Sequence, residues 1–365
     1  MEIRKMKIGI DISQIIYETG VSWYTKKLVE NLLSLDKENE YILFGGSMRR
    51  LNDLKAKVSS FSGNYNYTTK FLPIAPTLSD LVWNRLHLFN IENLIGNVDV
   101  FHSSDWSQPP SHAFKVTTVH DLWPIKFPSQ THPRVVATHK ARLYWVKKEV
   151  DKIIVPSIST KNDLLDLGFN EKKIKVIHEG PHLQDIPDEK KIKETLKKYN
   201  LKKKFLLGVG VSARKNTDRI IRAFELATAG KDYDLVLVGR QNTRVEKTKG
   251  VRVLGHVGDE DLPALYSSSE ALVYPSLYEG FGLPIIDAFN LDCPVITSNT
   301  SSMPEVAGQG AILVDPLKIE SIADGIKYAI THKKTLIQKG KKEVERFSWT
   351  KAAFETLAVY KESSK

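Results

Sequence analysis

The stretch ALVYPSLYEGFGLPIIDAFN, residues 271–290, decides the fold. Residues 271–275 form a short apolar run of strand length. A loop carrying Gly280 and Gly282 follows. From Pro284 an apolar pattern of helical spacing runs to Asn290. Proline suits the first turn of a helix, where its missing N–H costs nothing. A buried strand that feeds a helix through a glycine loop is the repeating unit of a parallel α/β sheet.

The unit recurs on both sides. Downstream, 294–298 and 311–314 read as strands, 319–331 as a helix and 349–360 as an amphipathic helix. Upstream, 205–211, 235–239 and 251–255 read as strands, with helices at 218–229 and 260–267. In the first half the strands are 7–11, 41–44, 98–102, 115–119 and 152–156. Tyr24, Leu28, Leu32 and Leu35 mark one helix there, and 135–150 another. Pro181 and Pro187 flank a polar break, and the lysine-rich segment 188–204 reads as a helix with a solvated face. At about 150 residues per domain, a chain of 365 holds two. The expected architecture is α/β, with Rossmann-like domains at 1–182 and 183–346 facing across a cleft.

Composition excludes several classes. Hydrophobic residues at 41% and charged residues at 26% fit a globular chain with a core, not a disordered, collagenous or coiled-coil one. No apolar run approaches the roughly 18 residues of a membrane span. The start, MEIRKMKIGI, passes straight into a strand pattern and does not read as a signal peptide. Cytoplasmic placement is therefore expected. The single cysteine, Cys293, rules out a disulfide framework and a cysteine-built metal site. The net charge of +10 points to anionic partners. Residues 1–180 hold 24 basic and 19 acidic residues, and 181–365 hold 29 and 24. That even spread argues against nucleic acid, which asks for a dense patch.

Chemistry concentrates at three places. In 278–287, the N–H groups and dipole of a helix start favour phosphate. Glu279 stands beside that cradle, able to meet sugar hydroxyls, and Asp287 lies about one turn into the helix. The plain alternative is a turn with solvated or capping acids. As a hydrolase pair the two acids are poorly spaced. Eight helical steps span about 12 Å, against roughly 5–9.5 Å for glycosidase carboxylates.

The second place, GVGVSARKN at 208–216, matches the G-x-G-x-x-A dinucleotide pattern and so admits an oxidoreductase. Its expected ribose-binding acid is not evident, since the next strand ends in Gly239-Arg240. Arg214 and Lys215 suit a diphosphate leaving group instead. The third is His120, which closes a buried strand at the edge where α/β ligands bind. Asp121 would orient its ring or cap the next turn. Two D-x-D triplets, at 232–234 and 259–261, are poorly placed for metal. The second reads as a helix N-terminus. No Walker A, G-x-S-x-G or H-E-x-x-H motif occurs.

Taken in this order, the motifs resemble glycosyltransferase family 4 (GT4), retaining nucleotide-sugar enzymes of the GT-B fold. The resemblance spans almost the whole chain and is strongest over 271–316. It rests on the E-x7-E region as Glu279 to Asp287, SMPEVA at 302–307, LVDP at 313–316, R-K-N at 214–216, the His120-Asp121 pair and GVSWY at 20–24.

The resemblance implies roles. Glu279 would hold the donor sugar with backbone N–H groups of Phe281 and Gly282, in a loop running Gly280 to Leu283. Asp287, where the family usually has Glu, would meet the ribose. Arg214 and Lys215 would bind the diphosphate, Gly20 would approach it, Val257 would lie by the base, and His120 by the transferred sugar and the acceptor, while the last helix, 347–365, would return to the first domain. No metal or other cofactor is implied, because the nucleotide sugar is a substrate. GDP-mannose is the favoured donor, since R-K-N resembles bacterial polysaccharide mannosyltransferases. UDP- and dTDP-sugars stay open, as does a GT-B epimerase or hydrolase. The acceptor would be a glycan or a lipid-linked one. The basic segment 139–150, with Lys140, Arg142, Lys147, Lys148 and Trp145, offers either an ordinary domain helix or a contact with an anionic membrane at its inner face.

Overall fold

The computed structural model describes residues 5–17, 19–61, 63, 65–183, 185–229 and 232–364. Residues 1–4, on which part of the signal-peptide reading falls, lie outside it. The chain divides into two compact units, 1–179 with 349–365, and 180–348.

The first unit is built on seven parallel strands. In chain order they are β1 (Lys7–Asp11), β2 (Glu40–Gly46), β3 (Tyr67–Leu72), β4 (Val100–Ser103), β5 (Phe114–Thr118), β6 (Lys152–Val155) and β7 (Ile174–Val176). Their spatial order is β3-β2-β1-β4-β5-β6-β7. The second unit has β8 (Lys204–Val211), β9 (Tyr233–Gln241), β10 (Val251–Gly255), β11 (Leu272–Tyr274), β12 (Val295–Ser298) and β13 (Ala311–Val314). These lie in the order β10-β9-β8-β11-β12-β13. Both sheets therefore run outward in one direction and then reverse, the Rossmann order. The reversal falls between β1 and β4 in one sheet and between β8 and β11 in the other. Loops leaving the carboxyl ends of those strands diverge and open a crevice.

The central strands are apolar because helices cover both faces of a parallel sheet. Leu206, Leu207, Val236, Leu237, Val273 and Ile296 are all buried. The edge strands β3 and β7 escape the hydrophobic pattern. In β3 (YTTKFL) three residues are exposed, and β7 is only three residues long.

The helix Trp349–Tyr360 belongs to the first unit. Trp349, Ala353, Val359 and Tyr360 join a core that includes Leu28, Val29 and Leu32 of helix Gly20–Leu35. Two basic segments are not simply solvated. In helix Pro133–Glu149, Arg142 is fully buried and donates to Thr117 Oγ1 at 2.7 Å and Thr118 O at 3.0 Å. In helix Glu189–Lys198, Lys191 and Lys198 reach the buried Asp261 at 2.8 and 2.5 Å. Asp261 is the N-cap residue of helix Leu262–Ser268, yet its carboxylate holds these lysines and Tyr199 rather than the helix end. No helix among the described residues is long and apolar enough to cross a membrane.

Candidate active site

In the second unit, the loops after β8 and β11 meet at the reversal of strand order. The chain after β8 turns through Asn216, whose φ of 63° suits asparagine's tolerance of the left-handed region. Its side-chain amide donates to Pro275 O at 3.0 Å and Pro316 O at 2.6 Å. One residue thus clamps the loops that follow β8, β11 and β13. Leu277 N donates to Arg214 O at 2.9 Å and closes the seam.

The clamp brings Arg214, Lys215 and Glu279 together. Lys215 Nζ lies 2.6 Å from Glu279 Oε1, and Arg214 Nη2 lies 3.0 Å from Oε2. Lys215 also donates to Tyr274 Oη at 2.5 Å, and Arg214 Nε to Tyr278 O at 3.0 Å. Glu279 is 6% exposed. Burial alone would raise its pKa, but the two cations reverse this and hold it at about 2. The carboxylate is therefore ionised at any working pH. Ser301 and Ser302 fix its backbone, both donating to Glu279 O.

The glycines serve this cluster. Gly210 has φ 85°, and a Cβ there would stand 2.9 Å from Lys215 Cγ. The lysine stem crosses Gly210, and a Cβ at Gly208 would stand 2.6 Å from Leu237 Cδ2, so packing accounts for both glycines of the G-x-G pattern. Gly282, at φ 113°, starts helix Leu283–Asn290, with Gly280, Phe281 and Leu283 beside it. Phe281 and Val257 are buried in one apolar cluster with Ile285.

Asp287 stands apart from the cations. Its Oδ1 accepts the N–H groups of His182 at 2.7 Å and Leu183 at 3.0 Å. The His182 ring lies between Asp287 Oδ2, 3.7 Å from Nδ1, and Asp259 Oδ1, 3.6 Å from Nε2. Burial opposes protonation of His182, but the two carboxylates outweigh it and raise the ring to about 9.

In the first unit, His120 follows β5. Its ring packs edge-on against Tyr24 at 4.5 Å. Its Nδ1 is 3.7 Å from Glu179 Oε1, a carboxylate only 3% exposed. Burial would lower its pKa, but Glu179, Asp105 and Asp121 raise it above the usual value. Asp121 itself accepts from Trp123 N at 3.0 Å and caps the next turn. Gly20 opens helix Gly20–Leu35. A cavity of about 430 Å³ lies at the β1–β4 reversal, lined by Asp11, Gln14, Tyr17, Trp83, Trp106 and His139 among others.

Comparison with known proteins decides the family. The model for Glycosyltransferase Family 4 matches residues 19–184, and that for Glycosyl transferases group 1 matches 187–344. The chain is a family 4 glycosyltransferase.

This glycosyltransferase is 27% identical to O-antigen chain mannosyltransferase B of Escherichia coli, over 98% of this chain and all of that one. It is 29% identical to O-antigen chain mannosyltransferase RfbU of Salmonella typhimurium, over 58% of this chain and 59% of that one. The fold is GT-B. Among solved structures, Anabaena Alr3699/HepE with UDP and glucose aligns at TM-score 0.71 and 16% identity, covering 98% of this chain and 100% of that one. Sucrose-phosphate synthase of Thermosynechococcus elongatus aligns at 0.74 and 18%, covering 98% and 99%.

The structure places at the candidate site residues of this glycosyltransferase that motif reading passed over. Glu179 orients His120, Tyr274 receives Lys215, and Asn216 clamps the loops. Only Asn216 had a signal, standing in R-K-N directly before a helix. Glu179 and Tyr274 reach their partners through the fold, 59 residues away in each case.

Proposed function

We propose that this glycosyltransferase moves a sugar from a nucleotide-diphosphate donor to a glycan or lipid-linked acceptor, in the synthesis of a cell-surface polysaccharide. The donor we favour is GDP-mannose, and the reaction retains the anomeric configuration. The observation that carries the reading is the Arg214–Lys215–Glu279 cluster at the β8–β11 reversal. The names of the E. coli and Salmonella relatives support mannose and a polysaccharide product.

The chemistry follows from charge. The C1–O bond between sugar and phosphate breaks with oxocarbenium character, and negative charge grows on the leaving diphosphate. Arg214 and Lys215 carry two positive charges against one on Glu279, so the cluster has one in excess. Preorganised cations in a half-buried crevice stabilise that leaving group without a metal ion. The positive pole of helix Leu283–Asn290 adds to the field. Glu279, held ionised, accepts hydrogen bonds from sugar hydroxyls. The acceptor oxygen bonds to C1 on the face the phosphate leaves, and its proton passes to the departing phosphate oxygen. His120, steered by Glu179, belongs to the acceptor side, and the aromatic cavity at the β1–β4 reversal takes the acceptor. Asp287 serves the ribose through the 182–183 backbone that it holds in place. A lipid-linked acceptor would put the reaction at the inner face of the cytoplasmic membrane.

A thermal-shift panel of GDP-mannose, UDP-glucose and a dTDP-sugar tests the donor. At a hundredfold excess over Kd a ligand stabilises by about 2.7 kcal/mol, a readily measured rise in Tm. GDP-mannose should give that rise, and Lys215→Ala and Glu279→Gln should remove it. A shift with UDP- or dTDP-sugars alone would sink the GDP-mannose reading, and no shift with any sugar nucleotide would sink the site. In turnover assays the same variants should lose at least about 100-fold, in line with removal of a preorganised charge. Activity should survive excess EDTA, and proton NMR of the product should show the donor's anomeric configuration. Donor turnover without any acceptor would favour an epimerase or hydrolase.

A further inference from the structure

The cavity at the β1–β4 reversal is charged against the trend of the chain. The whole sequence carries a net charge of +10. Yet among the described residues no lysine or arginine lines this cavity, and two aspartates, Asp11 and Asp105, do. Asp11 ends β1 and is buried. Ser13 donates to its Oδ1 from N at 2.9 Å and from Oγ at 2.5 Å. The groups that bond to it are those of Ser13 and Ser104, with no cation among them, and burial raises its pKa. Asp105 has a side chain 20% exposed, and Arg142 Nη1 lies 3.6 Å from its Oδ1.

Nearby cations do not make up the difference. Arg142 is itself fully buried, with shorter bonds to Thr117 and Thr118. Arg50 acts on Tyr17 at the cavity, but pairs with Asp53 at 2.7 Å. Burial lowers the pKa of His139, so its ring stays neutral. The remaining walls include Tyr17, Trp83 and Trp106. Trp106 Nε1 donates to Pro76 O at 3.3 Å, and its ring stands edge-on to His139 at 5.9 Å. The face of an aromatic ring is negative, so it attracts polarised C–H groups and disfavours an anion. The volume of about 430 Å³ lies within the roughly 300–1,000 Å³ of small-molecule sites.

We propose that this cavity takes an uncharged sugar unit as the reacting end of the acceptor, and that Asp11 and Asp105 exclude a phosphate or carboxylate from that place. The proposal rests on the reading of the cavity as the acceptor site. Adjacent hydroxyls of a sugar ring donate to carboxylate oxygens, while the ring's C–H face lies on an aromatic side chain. An anion would instead meet two carboxylates in a half-buried site, and like charges set together are costly. A place in the reaction sequence follows. A transfer that puts a neutral sugar on the carrier must come first, and this enzyme extends its product.

Ligand-observed NMR titrations of the full chain at neutral pH test it, with methyl α-mannopyranoside, mannose 6-phosphate and methyl glucuronide as probes. The mannoside should bind at least about tenfold more tightly than either anion. Asp11→Asn and Asp105→Asn keep the shape of the carboxylate and remove its charge. Each should narrow that preference severalfold while melting stays close to the parent's. If Asp11→Asn does not fold, the more exposed Asp105→Asn still decides. Trp106→Ala should weaken binding of the mannoside. Asp105→Asn and Trp106→Ala should keep the parent's rise in Tm with a sugar nucleotide, because the donor cluster lies in the other unit. The proposal fails if the anions bind as well as the mannoside, if no probe binds, or if folded Asp105→Asn discriminates as the parent does. A sugar nucleotide that raises Tm alongside any of these results leaves the donor reading standing and sinks the acceptor inference alone. No rise with any sugar nucleotide sinks the donor reading, whatever the probes do.

Discussion

At the residue scale, the site is a set of charges whose protonation the fold dictates. His182 shows how far that reaches. Its ring lies between Asp259 and Asp287, and its pKa rises to about 9 from an ordinary value near 6.5. A group with a raised folded pKa adds stability that is complete below its unfolded value and is lost as pH climbs through the folded one. The window is therefore pH 6.5 to 9. The full effect is on the order of 3 kcal/mol, at 1.36 kcal/mol per unit. Thermal melts of the parent should fall across that window, and His182→Gln should give a flatter curve from a lower start. Parallel curves would show that the ring is not held protonated. This pairing was not legible in the sequence. The motif named Asp287, but its partners come from residues 182–183, more than 100 positions away, and only the fold brings them within 3 Å.

At the element scale, glycine placement decides where a lysine can lie. Gly210 combines φ 85° with a Cβ position 2.9 Å from Lys215 Cγ. Gly210→Ala should cost about 1–2 kcal/mol from backbone handedness alone. It should also push the lysine stem away from Glu279. A drop in Tm of a few degrees with a much larger loss of turnover is expected; a drop in Tm with full turnover would show that the stem's path is unimportant. Central elements were readable because burial on both faces writes apolar runs into β8 and β9. Strands β3 and β7 were not, because three of the six residues of β3 face solvent and β7 is only three residues long. The lysine-rich segment misled in a similar way. A charged surface helix and one anchored by Lys191 and Lys198 on Asp261 have the same pattern until the partner is known.

At the scale of the whole molecule, the chain passes between its two units twice, at 179–180 and at 348–349. The closing helix is therefore part of the first unit's core and not a tail of the second. Tyr360 Oη lies 2.6 Å from His102 Nδ1, and His102 Nε2 lies 2.9 Å from Thr118 Oγ1. Burial, with His120 and Arg142 nearby, pushes His102 down to about 3, so its ring is neutral. A neutral imidazole has one donor and one acceptor nitrogen, and both are satisfied here. Removing residues 349–365 would strip Trp349, Leu357, Val359 and Tyr360 from the core and leave His102 Nδ1 without its partner. At about 1.5–3 kcal/mol per large apolar side chain, the loss rivals the 5–15 kcal/mol that holds a typical domain. The truncated chain should therefore lose the first unit's melting transition or aggregate through it. The second unit holds the Arg214–Lys215–Glu279 cluster and none of the removed residues, so it should keep its own transition. That transition should still rise with the sugar nucleotide that stabilises the parent. Calorimetry with and without that ligand separates the outcomes: loss of both transitions together would mean that the units do not fold as separate bodies, and an unchanged first transition would mean that the closing helix contributes nothing to its core.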